Sequence, residues 1–399
     1  MTVEYVRLAD VCIDAQSGFA SGKSDPNGVL QVRMNNVTTD GSWDWSKERR
    51  VPTSEKQLAK YAIRGGDVLV NVTNSPNLVG KTACFSGAVE PVVFSNHFVR
   101  LRFDGNQAEP QYVRRWLNLL WKRRAFEGLC TQWVNQASVR KEDLLALQVP
   151  LPPLPEQRRI AAILDKADAD RRKRQQTRDL ADQFLRSAFL DLFGDPVTNP
   201  KGWPVKKLGE VAEIQGGLQV TSKRSKNPIE VPYLRVANVY RNALDLTEIK
   251  TIRVTTAELE RVALRPSDVL IVEGHGNRDE VGRSAVWDGS VDPCVHQNHL
   301  IRARSTDEIL ASQYLSFYLN SSGGRRQMFR SGKTTSGLNT ISTRNVKETK
   351  ILLPPIEEQE RFVHLRSDVS FVRQRLAEGI AMAETLLGSL TQRAFRGEL

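Results

Sequence analysis

The chain has 399 residues, of which 40% are hydrophobic and 26% are charged, and this balance is typical of a folded protein of about two domains rather than of a disordered one. The formal net charge of +11 favours an acidic partner, most simply nucleic acid. The sequence has no basic segment followed by an apolar one at its start, no uncharged apolar run of about 18 residues and no C-x-x-C pair, so we expect a cytoplasmic protein without a membrane span, a zinc ribbon or a disulfide framework.

Residues 1–150 predict a globule of short strands with one clear helix. The strand-like apolar segments are 29–37, 67–72, 82–85 and 98–103. Residues 109–121 carry apolar side chains at helical spacing, with Pro110 in the first turn, where its missing N–H costs nothing. This order of elements indicates an α+β fold.

A long helical pattern follows this globule and begins near Pro152-Pro153 and Glu156-Gln157. The prolines end the preceding strand because they lack a backbone N–H, and a glutamate in the first turn complements the helix dipole. One face follows alternating steps of three and four, which is typical of a coiled-coil seam. Its residues are Ile160, Leu164, Ala167, Arg171, Arg174, Arg178, Ala181, Leu185, Ala188 and Leu192. We therefore predict a spacer helix over residues 151–195.

The rest of the chain repeats this organisation. The strand-like segments 233–239, 268–272, 284–287 and 300–304 precede a helical pattern at 312–320. Pro354-Pro355 and Glu358-Gln359 then open a second long helix, 354 − 152 = 202 residues after the first motif. The seam of this second helix is predicted at Phe362, Leu365, Val369, Val372, Leu376, Ala383, Leu386 and Leu390.

A repeat of this length indicates a duplicated domain rather than a solenoid, whose units span roughly 20 to 50 residues. We predict a second globule over residues 196–352 and a second spacer helix over residues 353–399. The two globules are expected to share one fold.

Catalytic and metal-binding motifs are weak. The segment 18–24 resembles a phosphate-binding loop but has three residues between its glycines, where four are required. His296 and His299 are three residues apart, and His275 lies earlier in the same half. The first half has only His97 at a matching position, which favours structural histidines over a metal site. The sequence therefore predicts neither a catalytic residue nor a metal ligand.

Polar residues that are alike in both halves are candidates either for framework positions or for contacts with DNA phosphates, because both duties are common to the two domains. They are Arg33, Asn36, Lys81, Asn96 and His97 in the first half and Arg235, Asn238, Arg283, Asn298 and His299 in the second. The basic run Arg171–Arg174 is a candidate either for a solvated helix face or for a phosphate contact.

Two polar segments differ between the halves, and there base reading is the functional interpretation. Residues 71–77 correspond to 273–279, and residues 131–136 correspond to 333–339. The candidates are Asn71, Thr73, Asn74, Gln132 and Asn135 in the first half and His275, Asn277, Arg278, Lys333, Thr334 and Thr335 in the second. The alternative is that these segments are merely variable surface loops.

The two proline–glutamine motifs, the turn Phe193-Gly194-Asp195-Pro196 and the segment 202–211 resemble the specificity subunits of Type I restriction-modification systems, over essentially the whole chain. The resemblance implies that each globule is a target recognition domain for one half of a split double-stranded DNA site. It also implies that the two long helices pair as an antiparallel coiled coil that sets the gap between the halves. Because the two globules differ, the site is expected to be asymmetric.

The same resemblance implies docking of two methyltransferase (modification) subunits by the helices, and indirectly of restriction subunits. The candidate docking and spacer residues are Pro152, Pro153, Glu156, Gln157, Pro354, Pro355, Glu358 and Gln359. Glu360 and Phe362 stand where the first helix has Arg158 and Ile160, which predicts unequal docking surfaces.

By the same resemblance the chain is not an enzyme and carries no cofactor. S-adenosylmethionine is expected in the modification subunit, and ATP-driven cleavage in the restriction subunit. The alternative function is a non-catalytic coiled-coil adaptor that holds two protein-binding globules, which leaves the +11 charge without a purpose.

Overall fold

The computed structural model describes residues 4–133, 136–331, 333–335 and 338–399, without the side chains of residues 132–133, 329–331, 333–335 and 338. The chain divides into two compact units, one formed by residues 1–175 and 378–399 and the other by residues 176–377. Each unit therefore contains one globule and one half of each long helix. No described helix combines the length and the apolar character needed to cross a membrane.

The first globule is built on a four-stranded antiparallel sheet. Its strands lie in the order Cys12–Ser17, Phe98–Phe103, Val68–Asn71 and Thr82–Cys84. Side chains alternate between the faces of a strand, and in the central strand Val68 and Val70 pack into one core cluster while Leu69 packs into another. Both faces of the sheet are thus covered, which explains why this segment is continuously apolar.

The remaining strands of the first globule form smaller sheets around this one. The strands among its described residues are Tyr5–Arg7, Cys12–Ser17, Val29–Val32, Arg50–Val51, Val68–Asn71, Thr73–Asn74, Thr82–Cys84, Val92–Phe94, Phe98–Phe103, Thr131–Trp133, Gln136–Ser138 and Gln148–Pro150. Its helices are Leu8–Val11, Glu55–Tyr61, Pro110–Lys122 and Lys141–Leu145, with 3₁₀ turns at Met34–Asn36 and Ala125–Leu129.

The second globule repeats this architecture, with the central order Ala212–Gly216, Leu300–Ser305, Val269–Val272 and Ser284–Val286. Its strands are Val205–Lys207, Ala212–Gly216, Ile229–Leu234, Val239–Tyr240, Ala243–Leu244, Lys250–Val254, Val269–Val272, Gly274–His275, Ser284–Val286, Val295–His296, Leu300–Ser305, Lys333–Thr335, Leu338–Thr340 and Lys350–Leu352. Its helices are Leu208–Val211, Thr256–Val262, Ser312–Asn320, Ser322–Ser331 and Thr343–Lys347, with 3₁₀ turns at Ser222–Lys226, Val236–Asn238 and Arg278–Glu280.

One predicted strand in each half ends earlier than its apolar pattern suggests. The segments 29–37 and 233–239 give strands only to Val32 and Leu234, and a 3₁₀ turn follows in each. The backbone N–H of Arg33 donates to Oδ1 of Asn36 at 2.9 Å, and this local side-chain bond turns the chain out of the sheet.

The two spacer helices run from Leu154 to Phe193 and from Ile356 to Ala394. In the first unit the start of the first helix shares a core with the end of the second, since Ile160 and Leu164 pack in one cluster with Leu387 and Phe395. In the second unit the end of the first helix packs in the same way with the start of the second. The helices are therefore antiparallel within each unit, and the predicted fold class is confirmed.

The seam of the second spacer helix differs from its prediction at two positions. Leu386 and Val372 are exposed, and Leu387 is buried in place of Leu386. Gly379, the one interruption of the apolar pattern, lies against the first helix, where an added Cβ would be 2.7 Å from Nη1 of Arg174. The absence of a side chain there lets the long arginine pass.

A buried glutamine joins each globule to its spacer helix. Nε2 of Gln157 donates to the carbonyls of Gln107 at 3.0 Å and Pro152 at 2.8 Å, and its Oε1 accepts from the N–H of Glu109 at 2.9 Å. Glu109 is the N-cap of helix Pro110–Lys122 and makes no cap bond with its own side chain. Gln157 therefore supplies from another helix the reach-back bond that a capping box normally makes locally.

Gln359 makes the same three bonds in the second unit. It donates to the carbonyls of Ile309 and Pro354 and accepts from the N–H of Ala311, the N-cap of helix Ser312–Asn320. Both glutamines are buried. This leaves them no exposed surface for a partner, and Phe362 is likewise fully buried. Arg158 and Glu360 are both exposed, so the predicted difference between the two helices lies in this reversed charge.

The two units reinforce this joint with different chemistry. In the first unit Arg115 of the globule bonds Asp165 at 2.6 Å and Asp168 at 3.1 Å on the first spacer helix. In the second unit Phe317 packs on Phe189 and Phe362, with ring centroids 5.0 Å and 4.9 Å apart. The contact with the first spacer helix is thus ionic in the first unit and aromatic in the second.

Candidate nucleic-acid interface

The two segments predicted to read bases are brought together in each globule by a small antiparallel sheet, here called the hairpin sheet. In the first globule Thr73–Asn74 pairs with Gln136–Ser138, which pairs with Thr131–Trp133. In the second globule Gly274–His275 pairs with Leu338–Thr340, which pairs with Lys333–Thr335. The two polar segments that differ between the halves therefore lie in one small sheet in each globule.

Asn71 and Asn74 organise the start of the first hairpin sheet. Asn71 is buried, and its Nδ2 donates to the carbonyls of His97 at 3.0 Å and Thr73 at 3.2 Å. Its Oδ1 accepts from Nδ2 of Asn74 at 2.7 Å. The amide of Asn71 is thus fully used inside the globule, whereas Thr73 and Asn74 are half-buried at its surface.

The second hairpin sheet begins differently. Glu273 takes the place of Asn71, and burial raises the pKa of its carboxyl to about 7. Nδ1 of His275 accepts from the N–H of Asn277 at 2.9 Å, and Oδ1 of Asn277 accepts from the N–H of Asp279 at 3.0 Å. Arg278 is exposed on the same turn.

Several of the predicted base-reading residues fall in less fully described parts of the chain. Asn135 lies outside the described residues, and only the backbone is described for Gln132, Lys333, Thr334 and Thr335. The backbones of these four residues lie in strands of the hairpin sheets.

Two of the shared residue pairs are buried and bond the protein backbone. Nδ2 of Asn36 and of Asn238 donates to the carbonyls of Asp44 and Asp245, at 2.9 Å and 2.8 Å. Lys81 donates through Nζ to the carbonyl of Val37 at 2.5 Å, and burial lowers its pKa. Arg283 likewise donates to the carbonyl of Val236 at 2.9 Å. This geometry favours the framework alternative for all four residues.

Arg33, Asn96 and His97 have a different environment. They line a groove of about 640 Å³ together with Asn35, Arg49 and Ser95. Within the described part of the chain, Nε of Arg33, Oγ of Ser95 and Nδ1 of His97 are buried atoms without a hydrogen-bond partner. Unpaired buried polar groups are costly, so this groove has the chemistry of a site for a polar or anionic ligand.

The matching residues of the second globule are partly occupied by the protein itself. Nη2 of Arg235 forms an ion pair with Glu248 at 2.7 Å, although its Nε, like that of Arg33, is a buried atom without a partner among the described residues. Asn298 and His299 are half-buried. His296 is fully buried, which lowers its pKa to about 4, and no group of three or more described His, Cys, Asp or Glu side chains is arranged to hold a metal ion.

The basic run of the first spacer helix is largely neutralised within the first unit. Arg171 pairs with Asp40 and Asp168, both at 2.9 Å. Arg174 pairs with Asp170 at 2.9 Å. These contacts favour a structural role over a free phosphate site.

An exposed apolar pair on each spacer helix was missed by the sequence analysis. Leu180 and Phe184 are 61% and 52% exposed, and Met382 and Leu386 are 73% and 55% exposed. The two pairs stand 382 − 180 = 202 and 386 − 184 = 202 residues apart. The sequence repeat could have revealed these pairs. Residues 180–187 and 382–389 share one pattern, which is apolar, Ala, acidic, any residue, apolar, Leu, any residue, Ser.

The chain contains two globules that share one framework but differ in their hairpin sheets, and two long antiparallel helices. This architecture defines a protein with two related but unequal binding domains. The sequence model of the Type I restriction modification DNA specificity domain matches residues 1–178 and 200–371. The chain therefore belongs to the family of Type I restriction-modification specificity subunits, with two recognition domains.

Curated relatives agree over most of the chain. It is 26% identical over 400 residues to the EcoKI specificity subunit of Escherichia coli K12, covering 92% of this chain and 82% of that one. It is 24% identical over 398 residues to the StySPI specificity subunit of Salmonella potsdam, with the same coverage.

Solved structures show the same fold. The S subunit from M. genitalium superimposes with a TM-score of 0.59 at 12% identity, over 98% of this chain and 96% of that one. A structure from work on complex assembly and conformational transition of the type I R-M system gives a TM-score of 0.56 at 22% identity, over 100% of both chains.

Proposed function

We propose that each globule reads one half of a split, asymmetric DNA site, and that the spacer helices dock two copies of a modification subunit. The observation that carries this proposal is that one repeated framework holds two different hairpin sheets. Asn36 and Asn238 make equivalent bonds, as do Gln157 and Gln359. A framework kept constant beneath a variable surface suits two readers of different sequences.

Two joined readers give specificity by summing their binding energies on one duplex. Each mismatched base pair costs about 1 to 3 kcal/mol, so a mismatch in either half weakens the complex. Phosphate contacts add affinity that falls with salt, which the charge of +11 supports.

Chemistry on the DNA is assigned to the partners. We propose that the modification subunit binds S-adenosylmethionine and transfers the methyl group, and that cleavage belongs to restriction subunits. This chain contributes the choice of sequence and has no cofactor or turnover of its own.

The exposed apolar pairs Leu180/Phe184 and Met382/Leu386 support docking of two copies of one partner. Neighbouring Leu185 and Leu387 are buried in the two units, so each helix uses one leucine internally and presents the adjacent pair outward. Single exposed apolar residues need no explanation, but the same pair at the same repeat position does. One modification subunit on each pair accounts for the duplication.

The docking part is tested by native mass spectrometry of the chain co-expressed with its modification subunit. The wild-type chain is expected to hold two copies. The double variant Leu180→Ser/Phe184→Ser is expected to hold one, and the variant with all four apolar residues changed to serine is expected to hold none. Val89→Ser, at a fully exposed apolar residue of the first globule, is the matched control and keeps two copies. Two copies on the fourfold variant would contradict the assignment.

The DNA part is tested by sequencing methylated bases in a host that expresses the modification subunit with or without this chain. A split motif is expected only when the chain is present. Methylation that is absent, or that is identical without the chain, would contradict the function.

A further inference from the structure

Arg33 and Arg235 hold the same place in the two globules. Each donates its backbone N–H to the side chain of the asparagine three residues later, at 2.9 Å for Asn36 and 3.0 Å for Asn238. The hydrogen bonds, and not only the sequence register, therefore identify the two arginines as equivalents.

The same asparagines identify a second equivalent pair whose charge is reversed. Nδ2 of Asn36 donates to the carbonyl of Lys47 at 3.2 Å, and Nδ2 of Asn238 donates to the carbonyl of Glu248 at 3.0 Å. A cation in the first globule thus stands where the second globule has a carboxylate.

This reversal decides how each arginine is occupied. In the second globule Glu248 lies 2.7 Å from Nη2 of Arg235 and 3.7 Å from Nζ of Lys250. In the first globule Lys47 pairs with Asp44 at 3.6 Å, and among the described residues Arg33 has no carboxylate within ion-pair distance. One guanidinium is therefore neutralised by its own domain, and the other is available to a ligand.

The groove beside Arg33 is rich in hydrogen-bond donors. Arg49 also lines it, with its Nη2 donating to the carbonyls of Ser21 and Lys23, and none of the described lining residues is a carboxylate. Ser95 is buried, and its Oγ has no partner among the described residues. Arginine is well suited to phosphate because its planar fork matches two oxygens of the anion.

We propose that Arg33 binds a DNA backbone phosphate in this groove, and that Glu248 withholds the equivalent Arg235 from DNA. The proposal rests on the proposed DNA-recognition function and adds an asymmetry to it. The first globule supplies the stronger electrostatic anchor, whereas the second has a self-neutralised arginine that one substitution releases.

The test measures binding of a random-sequence DNA duplex to the full chain in complex with its modification subunit, from about 50 mM to about 200 mM salt. Glu248→Gln is expected to tighten binding about fivefold at low salt and to steepen the slope of log K against log salt by about 1. Because Glu248 also pairs with Lys250, this gain is expected to disappear in Glu248→Gln/Arg235→Gln, and a gain that persists in the double variant would overturn the inference. Arg33→Gln is expected to weaken binding by a similar factor and to reduce the slope by about 1. Lys47→Glu is expected to act like Arg33→Gln and to have little further effect in that background.

Glu230→Gln is the matched control. Glu230 is a half-exposed acid of the second globule that pairs with Arg253 at 3.5 Å, so its removal changes the net charge equally without releasing Arg235. If Glu230→Gln tightens binding as much as Glu248→Gln, the effect is one of overall charge and the inference is wrong.

The remaining outcomes separate this inference from the function on which it rests. No salt-dependent DNA binding by the wild-type complex would overturn both. Normal wild-type binding with no change in Glu248→Gln and Arg33→Gln would overturn the inference alone. If Arg33→Gln leaves random-sequence binding intact and changes the methylated motif, Arg33 reads a base and the phosphate assignment fails.

Discussion

Replacing Gln157 by alanine should loosen the first globule from its spacer helix and leave the second globule unaffected. The change removes three hydrogen bonds from a buried side chain, two to the carbonyls of Gln107 and Pro152 and one from the N–H of Glu109. At about 1 kcal/mol net for each bond, the local cost is about 3 kcal/mol. Because three backbone groups lose their partner, the alanine side chain cannot recover this energy.

Gln157→Glu sharpens the test because it keeps the size and shape of the side chain. The acceptor toward Glu109 is retained, but a carboxylate then faces two carbonyl oxygens that need donors. An unpaired buried charge is strongly destabilising, so this variant should be at least as damaging as alanine. Glu156→Gln is the control, since Glu156 is partly exposed and, among the described residues, forms an ion pair with Arg159 alone, an interaction worth about 0.5 kcal/mol.

Hydrogen exchange measured by mass spectrometry provides the assay. A local loss of about 3 kcal/mol corresponds to roughly a hundredfold faster exchange in peptides covering residues 107–122. Peptides covering residues 309–320 serve as the internal reference, because Gln359 still holds them. Unchanged exchange at 107–122 in both variants, or equal acceleration in the two globules, would refute the reasoning.

Three further predictions follow from single side chains. Burial lowers the pKa of His296 to about 4, so the folded state resists protonation and the free energy of unfolding falls by about 3 kcal/mol as pH drops from about 6.5 to about 4. His296→Phe, which introduces the residue that the first globule has at the matching position, Phe94, should abolish this loss in denaturant titrations at acidic pH. An unchanged slope of the free energy of unfolding against pH would contradict this prediction. Burial raises the pKa of Glu273 to about 7, which has the opposite consequence, because the free energy of unfolding then falls as pH rises from about 4.5 to about 7. Glu273→Gln should flatten this pH dependence in the same titrations. A free energy of unfolding that still falls over this range in the variant would contradict the prediction. Phe395→Ala removes a ring 5.1 Å from that of Tyr112 and should destabilise the first unit by about 3 to 5 kcal/mol, seen as faster proteolysis of the C-terminal helix, whereas wild-type resistance would contradict it.

The sequence was sufficient for the elements with strong periodicity. The strand Phe98–Phe103 and the helix Ser312–Asn320 have the predicted bounds, because alternating or helical apolar patterns specify both type and extent. The duplication was predicted from the spacing of 202 residues between the two proline–glutamine motifs. It required no structural knowledge, since the same motif recurs at the same position in each half.

The hairpin sheets could not be predicted because they join segments far apart in the sequence. Nothing in residues 71–77 indicates that they pair with residues 136–138, since β pairing depends on the whole fold. The seam error at Leu386 has a similar origin. Leu386 and Leu387 are both apolar, and only packing within the first unit, to which both belong, decides which one is buried.

The side chains shared by the two halves divide into two groups only once their surroundings are known. Asn36 and Lys81 satisfy backbone groups in the interior, whereas Arg33 faces a groove with unpaired atoms. Gln157 was identified as part of the proline–glutamine motif. Its role in capping helix Pro110–Lys122 has no signature in the sequence around it. Residue identity gave the candidates, and burial separated framework positions from candidate contacts.

Exchanging residues 1–150 for the matching globule of another specificity subunit tests the central claim most directly. Methylated bases would be sequenced in a host that expresses the modification subunit with either the parent or the exchanged chain. We expect one half of the split motif to change while the other half and the gap between them stay the same. A motif that changes in both halves, or in neither, would contradict the claim that each globule reads its own half-site.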